Sequence, residues 1–170
     1  MEAVQKDNLD KLNELFDRYQ KRLYNYFVKS TMDLEDSGDL TQNVFIRVMK
    51  YRKSYRIGSS FEVWIFQIAR NQLKDHFRRM KVHRDQFSPV EILPERPEEK
   101  DSGQYEREQK LMKAMNKLPE EKRELLVLSK FQGMKYEQIA KIRSSSVSTI
   151  KVQVHRTIKE LRALYFEEND

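Results

Sequence analysis

The chain has 170 residues, with 33 lysines and arginines against 27 aspartates and glutamates, which gives a net charge of +6. That length suits one domain or two small ones, and the positive charge favours a polyanionic partner. The absence of cysteine excludes disulfides, a thiolate nucleophile and a cysteine-based zinc site. No apolar run approaches the roughly 20 residues that span a bilayer, and the polar N-terminus is unlike a secretory signal. We therefore expect a cytoplasmic protein with no direct membrane insertion.

An all-α fold is predicted, because 35% of the residues are charged and only four are glycine and four proline. Between Leu9 and Tyr26, apolar residues recur three and four positions apart, which predicts a long amphipathic helix. Asp7 or Asn8 is its expected N-cap, and it should end near 28–30. A second helix is predicted to begin close to Ser37 and Gly38.

The tract from Tyr51 to Ser60 is polar and basic and contains Gly58, so we predict a loop there. A third helix should follow from Phe61 to about Lys81. Its first half has an apolar stripe at helical spacing, formed by Phe61, Trp64, Ile65 and Ile68. Its second half is basic and contains Arg70, Asn71, Lys74, Arg78 and Arg79. One end of this helix suits burial and the other suits an anionic partner, and Trp64 is expected in the core.

Composition changes near residue 82, where three of the four prolines fall in an acidic segment. Proline removes a backbone donor and disfavours helix at the residue before it. The chain is thus divided into a first module, 1–81, a flexible linker, 82–104, and a second module, 105–170. The acidic linker could fold back on a basic module and compete with the anion.

The second module has the pattern of a helix-turn-helix between Lys135 and Arg162. Its first helix is predicted at Tyr136–Ile142, and Ser146 is the expected N-cap of a last helix that runs to about Phe166. One face of that last helix is apolar. The opposite face is polar, and its side chains could reach base edges and phosphates in a major groove.

Four segments, which follow one another along the chain, resemble the extracytoplasmic-function group of bacterial RNA polymerase sigma factors. DLTQNVFIRV, Asp39 to Val48, resembles the helix of that family that binds the core polymerase. FEVWIFQIARNQLKDHFRR, Phe61 to Arg79, resembles the helix that recognises and melts the −10 element. LPEEKRELLVLSKFQGMKYEQIA, Leu118 to Ala140, resembles the opening of region 4, and the last helix resembles the one that reads the −35 element. The first module would then be region 2.

The resemblance implies a role for each matching residue. The contacts to RNA polymerase core, at the clamp helices of its largest subunit, would be Asp39, Gln42, Asn43, Phe45 and Arg47. The contacts to the −10 element would be Lys53, Ser54, Tyr55, Arg56, Ser59, Ser60, Asn71, Lys74, Arg78 and Arg79. The contacts to the −35 element would be Ser146, Ser148, Thr149, Lys151, Val152, Gln153, His155 and Arg156. A cognate anti-sigma factor is a further partner that the family implies.

The turn of the helix-turn-helix departs from the family pattern. Family members commonly have a glycine followed by an apolar residue in this turn, whereas this chain has Ser144 and Ser145. A Cβ disfavours positive φ, so we expect a reshaped turn or a less stable domain.

Two other functional classes compete with this interpretation. A stand-alone helix-turn-helix regulator would use only the second module, and would leave the basic, aromatic region between Tyr51 and Arg79 unexplained. An enzyme is not expected, because the three histidines form no HisGluxxHis site and no glycine-rich phosphate loop is present. Neither a metal nor a cofactor is predicted.

Overall fold

The computed structural model describes residues 1–6, 10–83 and 102–167, and the regular structure in these ranges is helical throughout. The first half contains α1 (Glu2–Gln5), α2 (Asp10–Thr31), α3 (Leu34–Tyr51) and α4 (Phe61–His83). The second half contains α5 (Ser102–Lys117), α6 (Glu120–Leu126), α7 (Tyr136–Arg143) and α8 (Val147–Glu167). The all-α fold is therefore confirmed. The short helix α1 was not predicted, and the proposed N-caps Asp7 and Asn8 lie outside the described residues.

Helix α3 begins one turn earlier than its sequence suggests. Asp33 is the N-cap, and its carboxylate accepts a hydrogen bond of 2.8 Å from the Asp36 amide. The predicted start near Ser37 and Gly38 is wrong, since both residues lie inside the helix and Ser37 is fully buried. A capping carboxylate at Asp33 outweighs the modest helical cost of one glycine.

The predicted loop between α3 and α4 is present and contains one short 3₁₀ turn, Arg52–Ser54. After α4, the predicted linker 82–104 is helical at both its first and its last residues. Helix α4 continues through His83, and α5 already begins at Ser102. The rest of that linker lies outside the described residues.

Helix α4 buries more of its surface than one stripe. Ile65 is buried, as predicted, but Phe61, Trp64 and Ile68 are only half-buried. The other buried apolar side chains are Val63, Phe66, Ala69 and Leu73. This wide apolar surface is needed because α4 packs on α2 and α3 on one side and on α7 on the other.

The second half contains the predicted helix-turn-helix, preceded by α5, α6 and a π-helical turn. Pro119 is the N-cap of α6, and α6 runs into a π-helical turn at Val127–Phe131. Helices α7 and α8 form the helix-turn-helix. The Ser146 hydroxyl accepts from the Thr149 amide at 3.1 Å, which confirms Ser146 as the cap of α8.

Ser144 adopts the αL conformation. Strain in this turn was predicted because serine has a Cβ, and this backbone conformation agrees with that prediction. It ends α7 with φ 51° and ψ 51°. Its amide lies 3.4 Å from the Lys141 carbonyl, and the next amide, that of Ser145, donates to Ala140 O at 2.9 Å. Hydrogen bonds therefore close the turn, although the Cβ of Ser144 disfavours the αL conformation that it adopts there.

The two halves pack against each other. Helix α4 lies on α7, and α2 lies on α6 and on the π-helical turn. Buried side chains from Tyr19 in α2 to Val154 in α8 belong to one continuous apolar cluster. The DNA-binding modules predicted from sequence are therefore in contact across a substantial surface.

Replacing Ser144 with glycine should stabilise the protein. Glycine adopts αL without the Cβ penalty, so we expect the free energy of unfolding to rise by about 1 kcal/mol. Ser145→Gly is the matched control. Ser145 does not have a positive φ, so glycine there adds only freedom to the unfolded chain. Urea unfolding of both variants tests this, and equal stabilities would contradict the account of the turn.

Candidate protein and nucleic-acid interfaces

The outer face of α3 consists of four exposed side chains at helical spacing. Asp39, Gln42, Asn43 and Ile46 are exposed, and they recur at i, i+3, i+4 and i+7. The residues buried against α2 and α4, among them Val44 and Val48, lie on the opposite side of the helix. Within the described parts of the chain, this face is not covered by another helix, so a partner can bind to it.

Ile46 was not among the residues predicted for polymerase binding. Its side chain is 62% exposed, which is unusual for a residue that otherwise favours burial. The signal was available in the sequence, because Ile46 lies three and four residues after Asn43 and Gln42. An apolar centre with polar neighbours is typical of a protein-binding patch.

Two predicted polymerase contacts lie elsewhere. Phe45 is only 7% exposed, and its ring packs on Phe16 with 4.7 Å between centroids. Arg47 points toward α4, where the Gln72 amide, oriented with its oxygen toward α3, accepts from Arg47 Nη2 at 3.0 Å. Phe45 therefore supports the helix from inside, and Arg47 lies at the edge of the outer face.

The loop before α4 is held by an aromatic anchor. Tyr55 was predicted to contact DNA, but it is 8% exposed and packs edge-on against Trp64 at 5.2 Å. Its hydroxyl donates to the Ser59 carbonyl. Gln5 of α1 donates to the carbonyls of Arg52, at 2.8 Å, and Tyr55, at 2.5 Å, so α1 fixes the start of the loop.

The tip of this loop projects into solvent. Gly58 has φ 86°, a left-handed conformation that glycine adopts readily. The exposed side chains around it include an apolar one, Ile57, which is 58% exposed and was not predicted as a contact. The exposed predicted residues are Lys53, Ser54, Arg56, Ser59 and Ser60. Trp64 packs against Tyr55 and Phe61 behind the loop and is half-buried.

The basic half of α4 is partly covered by acidic residues of α6. Asn71, Lys74, Arg78 and Arg79, which were predicted to contact DNA, are exposed. Lys74 Nζ lies 3.9 Å from Glu121, and Lys81 Nζ lies 3.2 Å from Glu120. Between the two helices is a cleft of about 800 Å³. Its lining includes Asn71, Lys74 and Arg78 from α4 and Glu120, Glu121 and Glu124 from α6.

Glu124 is the most deeply buried carboxylate of this contact, at 3% exposure. From the first half, Arg70 Nε lies 3.1 Å from it, and the Tyr26 hydroxyl donates to it at 3.2 Å. From its own half, Arg143 donates to the other carboxylate oxygen. Burial raises the pKa of Glu124, and the two guanidinium groups oppose that rise. The same burial, together with the nearby carboxylate, raises the pKa of Tyr26 well above its ordinary value.

Further polar contacts join the halves on either side of Glu124. Gln138 donates to Glu62 at 2.8 Å, and Gln67 donates to the Lys141 carbonyl at 3.1 Å. The Gln132 amide donates to the Arg22 carbonyl at 3.2 Å. Sequence reasoning found none of these, because the partners are 74 to 110 residues apart and leave no local pattern.

The residues of α8 that were predicted to contact DNA lie on its exposed face. All eight residues proposed for the −35 element are exposed. The opposite face is anchored by Ile150 and Val154, which are fully buried, and by the partly buried Val147, Ile158 and Leu161. Val152 lies near the middle of the outward face and is 48% exposed. The proposed DNA-binding surface of α8 is therefore open to solvent.

Comparison with known proteins gives the same two modules. The Sigma-70 region 2 family matches residues 15–82, and Sigma-70, region 4 matches residues 108–161. RNA polymerase sigma factor YlaC of Bacillus subtilis (strain 168) is 30% identical over 158 residues, 90% of this chain and 91% of that protein. RNA polymerase sigma factor CarQ of Myxococcus xanthus is 29% identical over 173 residues, 98% of this chain and 96% of that protein.

The fold also matches that of a solved sigma factor. The structure of RpoE in complex with the anti-sigma factor NepR, from Bartonella quintana, superposes with a TM-score of 0.76 at 24% identity. The superposition covers 91% of this chain and 96% of that one. In the ranges described here, no helix is both long enough and apolar enough to cross a bilayer.

Two helical modules, the second of which contains a helix-turn-helix, are typical of a DNA-binding protein that acts in transcription. The chain belongs to the extracytoplasmic-function, or group IV, family of RNA polymerase sigma factors. The family predicted from the four sequence segments is thereby confirmed.

The stability of this fold should depend on pH through His76. This side chain is 8% exposed and lies 3.6 Å from the Asp36 carboxylate. Burial lowers the pKa of His76 below its ordinary value of 6.5, Asp36 opposes the shift, and Arg79 adds to it. The unfolded chain then binds the proton more readily, so stability falls as the pH drops below about 6.5.

His76→Gln should reduce this loss. We expect the free energy of unfolding to fall less between pH 7.5 and pH 5.5 in the variant than in the wild type, as measured by urea unfolding at both values. His155→Gln, at an exposed position on α8, is the control and should keep the wild-type loss. An identical pH dependence for His76→Gln and the wild type would contradict the assignment.

Proposed function

We propose that this sigma factor is a dissociable initiation subunit that acts in the cytoplasm. It binds RNA polymerase core through the outer face of α3, holds the −10 element with the loop before α4 and the basic half of α4, and reads the −35 element with α8. It makes and breaks no covalent bond itself. The observation that favours this over a stand-alone regulator is the α3 face, because a regulator that used only α7 and α8 would not need it.

The chemistry of the α3 face suits docking on another protein. Asp39, Gln42 and Asn43 can hydrogen-bond, and Ile46 supplies an apolar contact that is desolvated on binding. Because this face is opposite the core of the first module, a partner can bind there without disturbing the packing of α3 on α2 and α4.

At the −10 element, the loop and α4 supply complementary groups. Arg56 and the exposed serines can hydrogen-bond to an unstacked base, and the cations of α4 can contact phosphates. Ile57 offers an apolar surface at the loop tip, of the kind that proteins insert beside base steps. Unstacking a base costs a few kcal/mol, which a rigid loop anchored by Tyr55 helps to offset.

At the −35 element, α8 presents both base-reading and phosphate-binding groups. Gln153 can pair bidentately with adenine, and Val152 can contact a thymine methyl group. Lys151 and Arg156 can neutralise phosphates and supply affinity that does not depend on sequence.

A cognate anti-sigma factor is also proposed as a partner, because the family implies it. The structural neighbour RpoE is itself seen in complex with an anti-sigma factor.

In vitro transcription tests the function as a whole. Purified core polymerase, with and without this chain, is presented with a genomic-fragment library and the 5′ ends of the transcripts are mapped. We expect new start sites that share two upstream elements at a fixed spacing. DNA binding by the chain alone, with no new start sites, would favour a stand-alone helix-turn-helix regulator instead.

Ile46→Asn should weaken binding to core polymerase. Removing a buried apolar contact at the centre of an interface typically costs 1 kcal/mol or more, so we expect affinity to fall at least about fivefold with little change in thermal stability. Leu34→Asn is the matched control, since Leu34 is also exposed, at 48%, and lies on another side of α3. Fluorescence titration of labelled chain with core measures both. Equal affinities for the two variants would argue against the α3 face.

Val152→Ser and Arg156→Ala should have different effects on promoter choice. Loss of the valine methyl groups should relax selection at one base pair of the −35 element, by about 1 kcal/mol or roughly fivefold. Loss of the arginine should weaken all promoters similarly. Start-site mapping on a randomised −35 library distinguishes the two. A uniform loss for Val152→Ser would contradict base reading at that position.

A further inference from the structure

The short helix α1 contacts the loop before α4, which was assigned to the −10 element. The side-chain amide of Gln5 donates to two carbonyls of this loop, that of Arg52 at 2.8 Å and that of Tyr55 at 2.5 Å. The partners are 47 and 50 positions apart along the chain, so the contact is tertiary. The region 2 family match begins at residue 15. Helix α1 therefore lies outside the segment that matches the family.

We propose that α1 is a brace for this loop and that Gln5 is a positioning residue for the −10 element: by holding the two carbonyls, it keeps the loop in the shape that captures an unstacked base. This inference rests on the assignment of the loop to the −10 element made above. Gln5 is not itself a DNA contact in this proposal, because both hydrogens of its amide are used on the loop backbone. It acts through the position of the loop.

The two carbonyls that Gln5 holds lie at the two ends of the 3₁₀ turn Arg52–Ser54. The backbone closes that turn with one hydrogen bond, in which the Tyr55 amide donates to the Arg52 carbonyl at 3.3 Å. This is longer than a typical backbone hydrogen bond, so the turn gains little from it alone. The amide of Gln5 bridges both carbonyls at once, which fixes the start of the loop relative to α1.

Helix α1 is held in place by the burial of Val4. The Val4 side chain is fully buried, and Gln5 beside it is half-buried. Helix α1 also packs on α2. A helix of four residues is too short to form by itself, so its structure depends on these contacts. Val4 thus anchors α1 to the first module, and Gln5 extends that anchor to the loop.

The side chains at the tip of the loop depend on its backbone for their position. Arg56, Ile57 and Ser59 are exposed, so packing does not fix them. The backbone at the tip is closed by the Ser59 amide and hydroxyl, which donate to the Arg56 carbonyl at 3.1 Å and 2.6 Å. This closed tip directly follows the turn that Gln5 holds. A loop that is fixed before it meets DNA loses less conformational entropy when it captures a base.

Gln5→Met tests the brace, because methionine has a similar length and donates no hydrogen bond. Gln109→Met is the matched control, since it makes the same change at a half-buried position of α5. Each variant is assembled with core polymerase, and transcription is measured on a promoter, found by start-site mapping, whose −10 element is randomised. We expect the preference for the captured base to fall at least about fivefold in Gln5→Met, with unchanged selection at the −35 element. Equal preferences in the two variants would overturn the proposal.

Gln5→Lys separates positioning from a general loss of structure. An ammonium group has three donors and can hold the same carbonyls, so this variant should keep the base preference that Gln5→Met loses. Its added charge should strengthen binding to all sequences alike and leave the choice between bases unchanged. Urea unfolding should give similar stabilities for both variants. If Gln5→Lys lost the preference as Gln5→Met does, hydrogen bonding by Gln5 would not be what positions the loop, and the proposal would be wrong.

Hydrogen exchange of the free chain tests the brace without DNA. Val4→Ala weakens the anchor of α1 but leaves the Gln5 amide intact. Peptides that cover residues 51–60 should exchange at least about threefold faster in Val4→Ala and in Gln5→Met, because the loop then opens more often. Gln109→Met should exchange there like the wild type. Wild-type exchange of this loop in both α1 variants would show that α1 does not hold it.

The outcomes separate this inference from the proposed function. Arg56→Ala, at the loop tip, reports whether the loop holds the −10 element at all. If Arg56→Ala weakens selection at the −10 element and Gln5→Met does not, the brace is wrong and the −10 assignment stands. If neither variant alters that selection while the chain still directs transcription, the loop is not the −10 site, and the brace proposal falls with that assignment.

Discussion

The burial of Glu124 between two arginines is the interaction on which the arrangement of this molecule depends. Its carboxylate meets Arg70 and Tyr26 from one half of the chain and Arg143 from the other. A buried ion pair adds little net stability compared with apolar residues of the same size, but removing one partner costs about 3–5 kcal/mol. Glu124 thus gives the two halves one preferred orientation.

This orientation divides the proposed surfaces into two groups. The outer faces of α3 and α8 are exposed while the halves are packed together, whereas the basic half of α4 faces α6. The residues of α4 proposed to contact the −10 element, Asn71, Lys74, Arg78 and Arg79, nevertheless keep exposed side chains.

Periodicity predicted the individual helices well. Alternation of apolar residues gave α2, α4 and α8 to within a few residues of their ends, and Ser146 marked the start of α8 correctly. The start of α3 was misplaced because Gly38 has a strong turn signal, whereas the Asp33 cap is one polar residue among several. Ser144 was predicted to be strained because αL is costly for any residue with a Cβ, and its φ of 51° agrees.

Tertiary contacts could not be predicted in the same way. Phe45 and Tyr55 fall within motifs whose other members, apart from the half-buried Arg47, are exposed, and only packing shows that these two point inward. Glu124 stands in a charged stretch, EEKRE, that suggests a solvated helix, yet its partners come from residues as many as 98 positions away. A local pattern has no information about such distances. Ile46 was predictable, since the spacing of its neighbours already defined the exposed side of α3.

The size of the free chain in solution tests the central claim most directly. Small-angle X-ray scattering at low protein concentration gives its radius of gyration without labels or substitutions. If the halves are packed through Glu124, the value should lie close to that of a single compact body of this length, about 15–16 Å, with one maximum in the pair-distance distribution. A value well above about 20 Å, with two separated maxima, would show that the halves do not associate in the free protein and would contradict the account.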